Sequence, residues 1–186
     1  MLCVEPSEDM LSHAQKLEGL KPCLATADSF FRERSKTEQN CNKILMSASG
    51  HHIPDFQGTL CRAAEYLPAG GLLVLITRGT ECTFPMWKAL KSRLSYTAEE
   101  FKEPMLNAGF KVQITREVRM IRMTKGEWYD KLRKRIFSFL YDFTDKEIEE
   151  GLKELDREQF PDKEHSDTID IKDTIVFLDA TKPATL

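Results

Sequence analysis

The amino-acid sequence predicts an α/β fold built on an open sheet whose first strands run parallel. Two observations indicate this class: the alternation of strand-length and helix-period segments, and a length and hydrophobic content that allow one buried core. Apolar runs of strand length alternate with segments of helical period through the first half of the chain, and connections of this kind favour parallel pairing with right-handed crossovers. The 186 residues correspond to about one domain, and their 41% hydrophobic content is enough to bury a core.

The first half of the chain contains four predicted strands. The first is the apolar run Leu2 to Val4, which Glu5 closes, and the others span 22–27, 43–49 and 71–77. After the turn at Pro6, apolar residues recur at helical spacing as far as Leu17. Two further helices are predicted at 56–67 and at 97–108, the second beginning with a capping box and ending at Gly109.

The second half of the chain has a different pattern. Apolar and charged residues alternate over 112–123, which is typical of a half-exposed strand. Helices are predicted over 126–143 and from 144 to about 158, a flexible connector over 161–167, and a last strand over 173–180. We therefore expect a single domain over 1–186, divided into a core (1–123), a helical cap insertion (124–166) and a final strand (167–182).

Composition excludes several classes of function. With 27 basic and 30 acidic residues the net charge is -3, so no basic field predicts nucleic-acid binding, and no apolar run is long enough for a membrane span. The five cysteines are odd in number and include no C-x-x-C pair, so neither a disulfide framework nor a zinc site is predicted. No secretory signal opens the sequence. We expect a soluble, cytoplasmic protein without a metal site.

Residues at the ends of the predicted strands are the first candidates for chemistry, because ligands of open α/β sheets bind at the carboxyl ends of the strands. Glu5 could accept hydrogen bonds from both hydroxyls of a ribose, although it could also be a solvated turn residue. Asp28 follows the next strand and could accept from an adenine amino group, or it could cap a helix that begins at Ser29.

The order of these pieces resembles that of a known family. The segments VEPSEDMLSHAQ, ATADSF, ILMSASGHHIPD, LPAGGLLVLITRG and TAEEFKEPMLNAGF are similar to successive motifs of the class I S-adenosylmethionine-dependent methyltransferases. The similarity starts at the second strand of that family's Rossmann-like sheet. It spans Met1 to Lys182, with residues 126–160 as an added helical cap.

The resemblance implies S-adenosylmethionine as the cofactor and assigns residues to it. Glu5 would bind the ribose, Ser7 and Met10 would lie beside the sugar and the adenine, and Asp28 with Ser29 would face the adenine edge. The methionine portion would be lined by four consecutive residues: Ser47, Ala48, Ser49 and Gly50.

One part of the family pattern is absent. The family's first strand and its glycine-rich turn would precede residue 1, and no G-x-G-x-x-G occurs in the sequence. The resemblance therefore implies a methyltransferase truncated before its second strand. The expectation is that residues 1–186 alone bind the cofactor weakly or not at all and methylate nothing measurable, and that about 30 further residues upstream, one βα unit, would restore binding.

The remaining candidates concern the methyl acceptor. His51 and His52 are adjacent in the turn after the third predicted strand and could act as a general base, or one of them could only shape that turn. Trp87 and Tyr96 are candidates for the substrate pocket. Trp128, at helical spacing with Leu132, is expected in the core.

Two functions remain open at this point. The first is a methyltransferase acting on a small molecule, or a fragment of one. The alternative is a methyltransferase-like module without catalytic activity that binds or regulates a partner. A nicotinamide-dependent dehydrogenase also fits an acid after a strand, but it leaves the segment SASGHHIPD unexplained.

Overall fold

The computed structural model describes residues 1–33, 41–78, 83–93 and 97–184. Strands and helices alternate along the chain, which confirms the predicted α/β class. The strands are β1 (Leu2–Glu5), β2 (Lys21–Leu24), β3 (Lys43–Ser47), β4 (Leu72–Thr77), β5 (Lys111–Thr124) and β6 (Thr168–Thr181). The helices are α1 (Glu8–Ala14), α2 (Ala27–Glu33), α3 (Phe56–Tyr66), α4 (Lys88–Lys91), α5 (Ala98–Asn107), α6 (Lys125–Arg133) and α7 (Asp145–Glu158), with 3₁₀ turns at Gly50–His52 and Ser138–Asp142.

The chain forms two compact units. The first contains Met1–Thr77, Ala98–Thr115 and Phe177–Leu186, and the second contains Arg78–Thr97 and Arg116–Val176. Strands β5 and β6 each contribute one end to each unit. Each unit is therefore built from segments that are not consecutive in the chain. The predicted division into 1–123, 124–166 and 167–182 stays a prediction.

The strands belong to two sheets. Strands β1 and β2 pair in parallel with Glu5 opposite Leu24, and β3 and β4 pair in parallel with Ser47 opposite Ile76. The larger sheet has the order β3-β4-β6-β5. Among the described residues no strand pairs with the second edge of β1 or of β3.

Strands β5 and β6 run antiparallel. Arg122, near the end of β5, bonds to Asp170, near the start of β6, with 2.7 Å between Nε and Oδ1. Residues 116–120 of β5 are exposed without interruption, so alternation fails in the middle of the predicted half-exposed strand. Strand β5 lies at the edge of its sheet, so none of the described strands covers its outer backbone edge.

Helices α2, α3 and α5 form the packed layer of the first unit. Leu60 and Ala63 of α3 are fully buried, as is Leu73 of β4. Tyr66 packs edge-to-face on Phe30 and Phe31 of α2, with ring centroids 6.1 and 5.7 Å away. The apolar face predicted for α3 is thus the face that joins it to its neighbours.

The second unit has an aromatic core. Trp128 is buried there, as predicted, and its Nε1 donates to the Pro85 carbonyl at 2.9 Å. Helix α7 begins with the capping box of Thr144 and Glu147, which confirms its predicted start. None of the helices in the described ranges is long and apolar enough to cross a membrane.

The prediction of one helix over 126–143 is wrong. Helix α6 ends at Arg133, because Arg135 adopts a left-handed conformation with φ of 52°. The Arg135 amide donates to the Leu132 carbonyl and the Ile136 amide to the Lys131 carbonyl, which is the hydrogen-bond pattern of a Schellman motif. A 3₁₀ turn follows at Ser138–Asp142.

Candidate functional site

Glu5 closes strand β1 and is partly buried. Its Oε1 accepts a hydrogen bond from the Ser7 amide at 2.9 Å, which fixes the carboxylate over the turn. The Glu5 carbonyl accepts from the Ala25 amide at 3.3 Å, so the ends of β1 and β2 lie side by side. The structure therefore presents a fixed carboxylate at the end of a parallel strand.

The turn after β1 leads directly into helix α1. Ser7 is the N-cap of this helix, and its Oγ accepts from the Met10 amide at 3.4 Å. One lone pair of the Ser7 hydroxyl is therefore used by the helix. Its second lone pair can still accept a hydrogen bond from a ligand. Met10 lies on the exposed side of the first turn of α1, with 60% of its surface accessible.

The turn after β2 departs from the prediction for Asp28. The proposed N-cap role is wrong: Asp28 lies inside α2, and Thr26 caps the helix by accepting from the Ser29 amide at 3.1 Å. The Ser29 Oγ bonds to Thr26 in return. The Asp28 carboxylate pairs with Arg62 and with Arg32, so contact with an adenine would have to compete with two guanidinium groups.

Arg62 on α3 is the centre of this ion-pair cluster, which consists of Asp28, Arg32, Asp55 and Arg62. Its Nη2 contacts Asp28 and also Asp55, the latter at 3.1 Å. The Arg62 Nε is buried and has no hydrogen-bond partner among the described residues, and the same holds for the hydroxyl of Thr59 one turn earlier. Because Tyr66 on the same helix face packs against α2, the cluster lies at the junction of α2 and α3.

The turn after β3 is tightly constrained. Ser47 ends the strand, and Ala48 adopts a left-handed conformation with φ of 50° while its amide donates to the Ile76 carbonyl at 2.9 Å. Such a conformation is strained for a residue with a β-carbon and is tolerated where the surroundings fix it. Ser49 precedes the 3₁₀ turn and accepts from the His52 amide through its carbonyl.

Gly50 is buried beneath this turn. A β-carbon added there would lie 3.1 Å from side-chain atoms of both Leu75 and Phe101, tighter than ordinary packing. The absence of a side chain therefore lets the turn pack closely on β4 and α5. Gly50 positions its neighbours by this contact.

His51 and His52 lie in the 3₁₀ turn with ring centroids 3.9 Å apart. His51 is partly buried and His52 is exposed. Burial, followed by the nearby His52 ring, holds the pKa of His51 below its ordinary value of 6.5. A neutral His51 at physiological pH can accept a proton.

The two aromatic candidates for the substrate pocket have different outcomes. Trp87 is buried in the second unit, where its ring fills the space left by Gly151 and meets Phe143 edge-to-face at 5.6 Å. It also lines a cavity of about 430 Å³ beside α7. Tyr96 lies outside the described residues. The pocket role of either residue stays a prediction.

Sequence reasoning missed Arg62 and Asp55. The available signal for Asp55 was its place just before the apolar period of α3, which is typical of an N-cap, and its Oδ1 does accept from the Gly58 amide at 2.9 Å. Arg62 had no local signal, because its partner Asp28 is distant in sequence.

At the level of sequence, no protein-family profile and no curated protein matches this chain. Solved structures do. The YcgJ protein from Bacillus subtilis superposes with a TM-score of 0.63 at 13% identity, covering 99% of this chain and 82% of that one. An S-adenosylmethionine-dependent methyltransferase from Archaeoglobus fulgidus gives 0.53 at 12%, with 97% and 75% covered.

A third structure is phosphoethanolamine N-methyltransferase 2 from Haemonchus contortus, determined with phosphomonomethylethanolamine and S-adenosylhomocysteine. It matches with a TM-score of 0.52 at 17% identity, covering 98% of this chain and 43% of that one. These likenesses extend over nearly the whole chain. The chain has the class I methyltransferase fold, as the order of its motifs predicted.

Proposed function

We propose that this chain, with its class I methyltransferase fold, is an S-adenosylmethionine-dependent methyltransferase that acts on a small molecule. The observation that carries the proposal is the Glu5 carboxylate at the end of β1, fixed by the Ser7 amide. The same fold in structures that contain S-adenosylmethionine or S-adenosylhomocysteine supports the choice of cofactor.

The residues around β1 suit a nucleoside. A carboxylate whose Oε1 is already oriented by a backbone N–H can accept two hydroxyl hydrogens, and charge-assisted bonds of this kind are stronger than neutral ones. Met10, exposed on the first turn of α1, offers an apolar surface for a sugar or a purine. Ser47 to Gly50 are proposed to line the methionine portion, where the Ala48 turn sets the direction of their backbone groups.

When bound, the cofactor supplies an electrophilic methyl group on a sulfonium. The protein then has to orient the acceptor in line and exclude water. An acceptor that carries a proton must also lose it, and His51 is the proposed base, because its lowered pKa leaves the imidazole neutral at pH 7. His52, which contributes to that lowered pKa, is the alternative base.

A ligand series tests the nucleoside site. Ligand-observed NMR, which detects weak binding, would compare S-adenosylhomocysteine, adenosine and 2′,3′-dideoxyadenosine. The expected result is weak binding of the first two and at least a tenfold loss for the dideoxy compound, because it lacks the hydroxyls that Glu5 would bind. Equal binding of adenosine and the dideoxy compound would contradict the ribose role.

Methyl transfer is tested separately, with labelled S-adenosylmethionine and a panel of small amines, phenols and thiols. In an active chain extended upstream by about 30 residues, replacing the catalytic base should lower turnover by about 100-fold or more and leave cofactor affinity nearly unchanged. His51→Ala and His52→Ala identify which ring acts, and His13→Ala, on the exposed side of α1, is the control. Cofactor binding by the extended chain without transfer to any acceptor would favour the alternative, a binding module without catalysis.

A further inference from the structure

Asp173 is a buried acid in the middle of strand β6. Only 3% of its surface is exposed, and Ile171 and Val176 on the same strand are buried with it. Removing a carboxylate from water is unfavourable unless a cation and hydrogen bonds compensate for it. An aliphatic side chain would suit the position better if packing were the only requirement.

The cation is Arg78, the residue directly after β4. Its Nε donates to both Asp173 oxygens, at 3.0 Å to Oδ1 and 3.3 Å to Oδ2. The Arg78 side chain is 49% exposed although its partner is buried. Neither Nη1 nor Nη2 makes a hydrogen bond to any residue that the structure describes. The buried acid thus holds the inner nitrogen and leaves the outer edge of the guanidinium open.

Other arginines of the second unit use their nitrogens differently. Arg133 bonds to Glu149 through Nε at 2.6 Å and through Nη2 at 3.2 Å, and Arg122 bonds to Asp170 through the same two nitrogens. In both pairs the carboxylate is itself half exposed. In these two arginines a half-exposed carboxylate occupies both Nε and Nη2. In Arg78 a buried carboxylate occupies only Nε.

We propose that Arg78, oriented by Asp173, binds an oxyanion group of a small molecule, either a carboxylate or a phosphate. A planar guanidinium binds such groups through two parallel N–H bonds, which Nη1 and Nη2 can supply. Fixing the Nε in advance reduces the side-chain entropy that a free surface arginine loses on binding. The inference concerns this site alone and does not depend on methyl transfer.

Binding is tested on the full chain with inorganic phosphate and with acetate, each titrated at constant ionic strength against chloride. The backbone amide of residue 78 reports binding by ¹⁵N NMR in the wild type and in every variant. A saturable shift is expected for at least one of the two ions. The ion that binds more tightly shows whether the site prefers a carboxylate or a phosphate. Arg78→Gln should weaken binding at least tenfold, and Arg122→Gln should leave it unchanged.

Two variants separate orientation from charge. Arg78→Lys keeps the charge without the fork and should also bind more weakly. Asp173→Leu removes a negative charge, which by itself would strengthen anion binding, but it also removes the acceptor that orients Arg78. Weaker binding by this variant, with a folded spectrum, is the result expected from orientation. Tighter binding by Asp173→Leu, equal affinity in Arg78→Gln, or no saturable shift in the wild type would each overturn the proposal.

Discussion

The turns after β1 and β2 carry an acid in similar sequence contexts, but they present it differently. Glu5 ends β1, and its carboxylate accepts from a backbone amide of its own turn. Asp28 is the second residue of α2, and its carboxylate is paired with Arg62 and Arg32. Glu5 is therefore the acid that we propose for ligand binding, while the Asp28 carboxylate is already paired with two arginines of the protein.

The neighbouring helix determines whether an acid near a strand end is paired within the protein. Glu5 is the last residue of β1, before α1, and Asp28 lies in α2, shortly after β2. Only α2 has an arginine opposite it, because α3 packs beside it and projects Arg62 onto Asp28. We therefore expect Glu5 to dominate ligand binding and Asp28 to contribute chiefly to the packing of α2 on α3.

The largest effect is expected at Glu5. Glu5→Ala should weaken S-adenosylhomocysteine or adenosine binding by about 1.5 to 3 kcal/mol, a factor of roughly ten to more than a hundred, since hydrogen bonds to a charged group are lost. Calorimetry or ligand-observed NMR measures the change. Glu8→Ala, which removes an exposed acid from the first turn of α1, is the matched control. Unchanged affinity in Glu5→Ala would remove Glu5 from the site.

Asp28 should show the opposite profile. Asp28→Ala breaks an ion pair whose side chains are only 23% and 27% exposed, so the free energy of unfolding should fall by about 1 to 2 kcal/mol. Ligand affinity should change less than about threefold, because the carboxylate is occupied in the free protein. Urea denaturation and the same titration measure the two quantities. A large loss of affinity without a loss of stability would place Asp28 in the ligand site.

Two helix ends show how far the sequence determines the fold. Helix α5 ends as predicted at Gly109, whose φ is 87° and whose amide donates to Leu106. Helix α6 ends in the same hydrogen-bond pattern with Arg135 at the left-handed position. A glycine in the sequence indicates such a helix end, whereas an arginine does not. The apolar pattern therefore predicts a helix that continues beyond the true end of α6.

The candidate site was predictable where its contacts are local. Glu5, Ser7 and the turn over 47–52 are candidates from sequence because each lies at or just after the end of a strand, where the structure also places them. The pairing of Asp28 with Arg62 spans 34 positions and depends on the packing of two helices. The left-handed Ala48 was equally hidden, because it is imposed by a bond to the neighbouring strand and not by residue type.

A double substitution sharpens the comparison between the two acids. If Arg62 is what separates Asp28 from Glu5, then Arg62→Met should leave the Asp28 carboxylate paired with Arg32 alone, whose side chain is 68% exposed. In that background Asp28→Ala should weaken adenosine binding by about 1 kcal/mol, roughly fivefold, although it has little effect alone. Binding titrations on the four proteins of the cycle give the coupling. Additive effects would mean that the two residues act independently on the ligand.

The smallest effect is expected at Asp55, the second carboxylate on Arg62. The Gly58 amide, followed by the Arg62 guanidinium, holds the pKa of Asp55 below its ordinary value. Because this pKa is lower in the folded than in the unfolded chain, the stabilisation is complete above the unfolded value of about 4 and is lost as the pH falls through the folded value. Asp55→Asn keeps the N-cap acceptor without the charge. Its free energy of unfolding should therefore depend less steeply on pH between about 4 and 2 than that of the wild type. Urea denaturation across this range measures both slopes, and identical slopes would show that Asp55 titrates alike in the folded and unfolded chains.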